Sequence, residues 1–88
     1  MDQNYDTELY DNADKFIELA NEMSKTLSPG KIGVALRYAA ARYSAFEASM
    51  QSKNLVADKD RRMQFFVETF TEMLQVNFDQ YIQLQAKK

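Results

Sequence analysis

The segment 30–52 constrains the fold of this chain most, because it favours helix and is apolar on two opposite sides. At about 100° per residue, large and small apolar residues share one face. These are Ile32, Ala35, Leu36, Ala39, Tyr43, Phe46 and Met50. The opposite face carries no charge and consists of Val34, Tyr38, Ala41, Ala45 and Ala48. A solvated face would carry Glu, Lys or Gln, so we predict a central helix with a packing partner on each side.

Three helices and no strand are predicted over the chain, near residues 6–26, 29–53 and 56–85. The polar residues 1–5 are expected to be disordered, and residues 86–88 are expected to fray. The fold class is therefore all-α, a three-helix bundle formed by residues 6–85 as a single domain. The alanine-rich helix lies in the middle of this bundle, which is expected to assemble as a helical dimer.

Capping residues set the predicted helix boundaries. Ser28 can accept a hydrogen bond from the first turn of the second helix, and Pro29 suits the first helical position. The connection before Ser28 is short, so the first two helices should be antiparallel neighbours. Either Asn54 or Asp58 can cap the third helix.

Apolar stripes predict which faces of the outer helices are buried. The stripe of the first helix consists of Leu9, Ala13, Phe16, Ile17, Ala20 and Leu27. The main stripe of the third helix consists of Met63, Phe66, Val67, Phe70, Leu74, Phe78, Tyr81 and Ile82. Phe16, Phe46, Phe66 and Phe70 are predicted to form the core, since each ring buries a large apolar area.

Composition bounds the class of protein. The chain has 88 residues, 45% of them hydrophobic and 27% charged, which suits one small regular domain. It lacks an apolar run of membrane-spanning length, an N-terminal export signal and cysteine, so we expect a cytoplasmic protein. Charge is uneven: residues 1–30 have a net charge of −5 and residues 31–62 a net charge of +4. This asymmetry suits antiparallel helices whose edges attract each other.

Two segments resemble a known family. FIELANE at 16–22 and LRYAAARYSAF at 36–46 are similar to a family of short bacterial helical proteins called domain of unknown function 3144. The Gly30–Lys31 pair and Tyr81–Ile82 also fit this pattern, so the resemblance extends over about residues 5–82. It implies a small bacterial helical protein without an established activity, and it supplies no catalytic residue.

Most enzyme chemistry is disfavoured by the residues that are missing. Without His or Cys, the chain lacks thiol and imidazole nucleophiles, a Ser–His triad and the usual zinc ligands. Gly30 and Gly33 are the only glycines, which excludes a glycine-rich phosphate loop. Four acidic residues could hold a hard cation, but they lie opposite the apolar stripe, so we interpret them as a solvated face. They are Asp11, Asp14, Glu18 and Glu22. We expect no enzyme activity, cofactor or metal.

Arg37, Tyr38 and Arg42 form the one constellation with ligand-binding chemistry, since basic and aromatic groups together bind phosphate and stack on bases. The alternative is structural, with Arg42 paired to the acidic first helix and Tyr38 packed at an interface. The structural alternative is favoured, because the chain is acidic overall and lacks a basic stripe.

Two functions follow from these patterns. The favoured one is a protein–protein interaction module that binds itself, as a homodimer, or another protein. Its predicted surface is Tyr38, Ala41, Arg42, Ala45, Phe65, Val76, Phe78 and Ile82. The alternative is a nucleic-acid-binding module that uses Lys31, Arg37, Arg42, Arg61 and Arg62. A membrane partner is not expected.

Overall fold

The computed structural model describes residues 6–87. The predicted disordered segment 1–5 and Lys88 of the predicted frayed end lie outside these residues. Within the described part, the last helix continues to Ala86 and Lys87 lies in a turn.

Three helices account for nearly all of residues 6–87: α1 (Thr7–Met23), α2 (Pro29–Gln51) and α3 (Leu55–Ala86). No strand occurs in that range, so the predicted all-α fold of three helices is confirmed. None of these helices combines the length and the apolar character that crossing a membrane requires.

The first two helices begin at side-chain caps. The Asp6 carboxylate accepts a hydrogen bond from the Leu9 backbone N–H at 2.9 Å, which satisfies one of the free N–H groups of α1. Ser28 Oγ accepts a bond from the Lys31 N–H at 3.3 Å, as the sequence predicts. Pro29 is the first residue of α2, where its missing N–H has no cost.

Asn54 caps α3, which decides between the two predicted capping residues. Its side-chain oxygen accepts a hydrogen bond from the Ala57 N–H at 3.2 Å. Asp58 lies inside the first turn and makes other contacts, so it does not cap the helix.

The described residues divide into two compact units, 6–46 and 47–87. The first contains α1, the turn at 24–28 and most of α2. The second contains the last residues of α2, the turn at 52–54 and α3. The boundary between the units therefore falls within a continuous helix.

The predicted phenylalanine core is wrong for three of its four members. Phe16, Phe46 and Phe70 are 63%, 53% and 50% exposed, while Phe66 is partly buried. Buried hydrophobic residues among the described ones are limited to Ile32 and Ala48. A helical period identifies a face that needs covering, but not whether the cover comes from the same chain. In this structure the single chain leaves most of its large apolar side chains exposed to solvent.

α3 shows the largest departure from the predicted burial. Its main stripe is exposed except for Phe66, whereas the least exposed side chains follow another face. Those partly buried residues are Asp58, Arg62, Phe66, Thr69 and Val76. Val76, which the sequence places on the predicted interaction surface, is therefore one of the better covered residues of the helix.

Candidate interaction surfaces

An open, mainly apolar groove runs along α2 inside the first unit. It is lined by Tyr38, Ala39, Ala41, Arg42, Tyr43, Ala45 and Phe46. Four of the predicted surface residues are thus brought together here. The small alanine side chains leave the floor low, and the Tyr43 and Phe46 rings pack at one side with centroids 5.6 Å apart. Such a groove can accept the side chains of another helix.

Two of the three members of the predicted ligand constellation line the same groove, and the third does not. Tyr38 and Arg42 line the α2 groove, and the Tyr38 side chain is 67% exposed. The Arg37 guanidinium instead folds back along the helix, where a Cβ added to Gly33 would meet its Nη1 atom at 3.2 Å. Among residues 6–87, neither arginine forms an ion pair, so the predicted bond from Arg42 to the acidic first helix is absent.

Four predicted surface residues lie on α3 and do not share a face. Phe65, Phe78 and Ile82 are exposed, whereas Val76 is partly buried. The Phe65 ring packs edge-on against Phe66, with centroids 5.7 Å apart. α3 therefore does not present these four residues as one surface.

A different set of α3 residues does form one continuous surface, here called the α3 seam. Its positions follow each other at alternating steps of four and three residues. They are Val56, Asp60, Met63, Val67, Phe70, Leu74, Asn77, Tyr81 and Leu84. The seven apolar and aromatic members are all exposed, from 44% at Leu74 to 91% at Val56. An average step of 3.5 residues is the repeat of a coiled-coil contact.

A network of polar side chains fixes the turn between α2 and α3 within the second unit. The Ser52 hydroxyl donates to Asp58 Oδ2 at 2.6 Å and accepts a bond from the Asn54 N–H at 3.2 Å. Across the turn, Arg62 Nη1 donates to Gln51 Oε1 at 2.6 Å. These bonds join the end of one helix to the first two turns of the next.

Asp58 is the charged centre of this turn. The hydrogen bonds from Ser52 and then Arg61 hold the pKa of the Asp58 carboxyl below its ordinary value, because both favour the ionised form. Partial desolvation opposes this effect, and the positive charges of Arg61 and Arg62 add to it. Arg61 also forms an ion pair with Asp58 at 3.3 Å. The arrangement is structural, since these donors are used within the turn.

Within residues 6–87, no three acidic side chains come together as a metal site would require. The four candidate cation ligands follow the polar side of α1, and among the described residues only Glu22 of these four forms an ion pair, a local one with Lys25 at 3.1 Å. The four are Asp11, Asp14, Glu18 and Glu22. The first unit therefore has no ion pair between α1 and α2 among its described residues, contrary to the expected attraction between their edges.

Sequence reasoning missed both the polar turn and the α3 seam. Asn54 was one of two predicted caps, but the bonds of Gln51 and Ser52 depend on how the turn folds. The seam was detectable, because Val56 and Leu84 extend the alternating four-and-three spacing to both ends of α3. The predicted stripe included Phe66, Phe78 and Ile82 instead, which obscured that spacing.

Comparison with known proteins identifies one related group. The family described as Protein of unknown function (DUF3144) matches residues 9–82, which is most of the chain. No match occurs among the curated proteins or among the solved structures.

Proposed function

Because this chain belongs to the DUF3144 family of proteins of unknown function, we propose its role from its surfaces: a self-associating helical interaction module without catalysis. One observation carries this proposal. All large hydrophobic side chains of residues 6–87 are exposed except Met23, Ile32, Phe66 and Val76. Monomeric proteins rarely leave large contiguous apolar patches in water, and exposed apolar side chains here occur on all three helices.

The exposed side chains also supply the driving force for association. Burial of one large apolar side chain contributes about 1.5–3 kcal/mol, and several of them occur on each of the three helices. Association has its own cost in lost translational and rotational freedom, of about 4–15 kcal/mol. Complete burial of a few such side chains per copy offsets that cost.

A second copy is the favoured partner over an unrelated protein. A twofold axis lets one surface cover itself, so both copies bury apolar area with a single set of contacts. A chain of 88 residues also has limited surface to bury by itself, which makes assembly a common source of stability for small domains.

The absence of catalysis is supported by the residue inventory. The sequence contains no His and no Cys, and thus none of the commonest acid–base and thiol groups of active sites. The lowered pKa of Asp58 is explained by contacts within a turn and does not indicate an active site.

Sedimentation of the full chain tests the proposal. At micromolar concentration we expect a species of at least twice the chain mass of 10.2 kDa, with dissociation on dilution. A monomer of 10.2 kDa at every concentration would refute self-association. A different protein would then be the partner that buries the exposed faces.

Nucleic-acid binding is the second candidate, and one observation favours it. Arg37 and Arg42 carry guanidinium groups without an ion pair among the described residues, and Tyr38 beside them is exposed. Binding to mixed DNA or RNA at low salt should then weaken steeply as salt rises, and Arg37→Glu with Arg42→Glu should abolish it. Absence of binding at low salt would exclude this candidate.

The bacterial origin and cytoplasmic location expected from the sequence stay predictions.

A further inference from the structure

The α3 seam is a regular exposed surface that follows α3 from its first turn to its last. Nine positions alternate by four and three residues from Val56 to Leu84, so the seam extends over about 42 Å at about 1.5 Å per residue. It lies about 120° around α3 from the least exposed face of that helix. The α3 seam therefore lies on a different face of α3 from the partly buried residues, and its burial requires a separate packing partner.

We infer that the α3 seam packs against the α3 seam of a second copy in an antiparallel coiled coil. This inference rests on the proposed self-association and names its surface. A repeat of 3.5 residues is the pattern by which two helices insert side chains into each other's gaps over many turns. The repeat is sustained over the whole of α3, so an identical helix is a complementary partner over most of the length of the seam, from Val56 to Tyr81.

The polar members of the seam favour the antiparallel direction. In a parallel pair in register, Asp60 would lie opposite Asp60 of the other copy, and two like charges would be partly desolvated together. In an antiparallel pair, Asp60 lies opposite Asn77 of the other copy. Asn77 donates one amide hydrogen to the Met73 carbonyl oxygen at 2.8 Å, and its second hydrogen is available for the carboxylate.

The same antiparallel register pairs the apolar members with each other. Met63 lies opposite Leu74, Val67 opposite Phe70, and Val56 opposite Tyr81 of the other copy. No apolar seam residue between Val56 and Tyr81 then faces a polar one. From Val56 to Tyr81, apolar seam residues thus face apolar ones and polar residues face polar ones. This match follows from the sequence and requires no change in the helix.

Charge along α3 is also complementary in the antiparallel direction. Residues 55–62 contain three basic and two acidic side chains, whereas residues 63–86 contain three acidic and no basic ones. Antiparallel packing places the positive end of one helix beside the negative part of the other, and parallel packing places like beside like. Among the positions that flank the seam only Lys59 is charged, so this complementarity acts between the two segments as wholes and not through ion pairs beside the seam.

Charge reversal in the middle of the seam is the first test. Phe70→Glu or Leu74→Glu in the full chain should raise the dimer Kd by at least about a hundredfold, because each dimer would bury two unpaired carboxylates. Gln75→Glu is the matched control, since it adds the same charge next to Leu74 but outside the seam, and it should leave the sedimentation profile unchanged. Far-UV circular dichroism at low concentration checks that the helices remain.

Disulfide trapping is the second test, and it also reports direction. The natural sequence has no cysteine. With Asp60→Cys and Asn77→Cys together, mild oxidation should yield covalent dimers on a non-reducing denaturing gel. Asn77→Cys alone should run as a monomer on the same gel. Within one helix these positions lie about 25 Å apart, too far for an internal disulfide, so any bond is between copies.

The outcomes separate this inference from the proposed function. A wild-type chain that sediments as a monomer at every concentration refutes both. A wild-type dimer that tolerates Phe70→Glu and Leu74→Glu, and that the double cysteine variant does not trap, overturns the seam alone and leaves self-association through another face such as the α2 groove. Efficient trapping by Asn77→Cys alone would place Asn77 opposite Asn77 of the other copy, as in-register parallel packing does, and would overturn the antiparallel register proposed here.

Discussion

At the scale of single residues, the described chain concentrates its specific polar chemistry at the turn between α2 and α3. Ser52 bridges the Asp58 carboxylate and the Asn54 N–H, and Arg62 reaches back to Gln51. Elsewhere in residues 6–87, the side-chain hydrogen bonds of Asp6, Lys25, Gln64 and Asn77 join residues within four positions of each other. The turn is therefore where side chains define the geometry of the connection.

The lowered pKa of Asp58 predicts a pH dependence for this turn. Since the folded chain favours the ionised carboxylate, the stabilisation is present above the ordinary pKa of aspartate and is lost as pH falls through the lowered folded value. Asp58→Asn should therefore lower the urea midpoint at about pH 7, and the deficit should shrink towards about pH 3. Asp79→Asn, on an exposed part of α3, serves as the control. A deficit that stays constant down to acidic pH would contradict this account.

At the scale of secondary-structure elements, α2 combines alanines, which favour the helix, with an interior glycine, which disfavours it. Its alanines favour helix and keep the groove low, whereas Gly33 lies inside the helix without a positive φ angle that would need glycine. The Arg37 guanidinium covers Gly33, and it is the flexible end of a long side chain. Neither the backbone conformation nor a contact with backbone therefore requires glycine at this position.

Gly33→Ala is expected to stabilise α2 by about 0.5–1 kcal/mol, because alanine loses less backbone entropy in a helix. The new Cβ would displace Arg37 Nη1 by a few tenths of an ångström from its 3.2 Å approach. Thermal unfolding should show a higher midpoint. Gly30→Ala is the control, since a Cβ there meets nothing within 4 Å. Destabilisation by Gly33→Ala alone would mean that Arg37 is held firmly in place.

At the scale of the whole molecule, the main property is the imbalance between apolar composition and burial. The chain is 45% hydrophobic, yet the buried hydrophobic residues described are Ile32 and Ala48. Stability that depends on surfaces covered by another copy must vary with protein concentration, since dilution removes the cover.

Phe70→Ala distinguishes burial by assembly from burial within one chain. Replacing a fully buried phenylalanine by alanine lowers the free energy of unfolding by about 3–5 kcal/mol, but the Phe70 ring is half exposed in the single chain. We expect the wild-type melting temperature to rise with concentration, and the deficit of Phe70→Ala to grow as the dimer forms. Circular dichroism melts at two concentrations about a hundredfold apart measure this. A melting temperature independent of concentration would contradict the expectation.

What the sequence by itself determined is local. The all-α class, the three helices, the start of α2 at Pro29 and the cap at Ser28 all depend on residues within about one helical turn of each other. The groove residues Tyr38, Ala41, Arg42 and Ala45 could be grouped for the same reason, because one helix carries them at helical spacing.

Only the tertiary structure decided which faces are covered. Burial depends on contacts between residues far apart in the chain, and apolar periodicity is the same whether the cover is another helix of the chain or another molecule. For that reason Phe16, Phe46 and Phe70 were expected in the core and lie exposed. The choice of Asn54 over Asp58 as the cap of α3 has a more local origin: both residue types cap helices, and the folded turn engages Asp58 through Ser52 and Arg61.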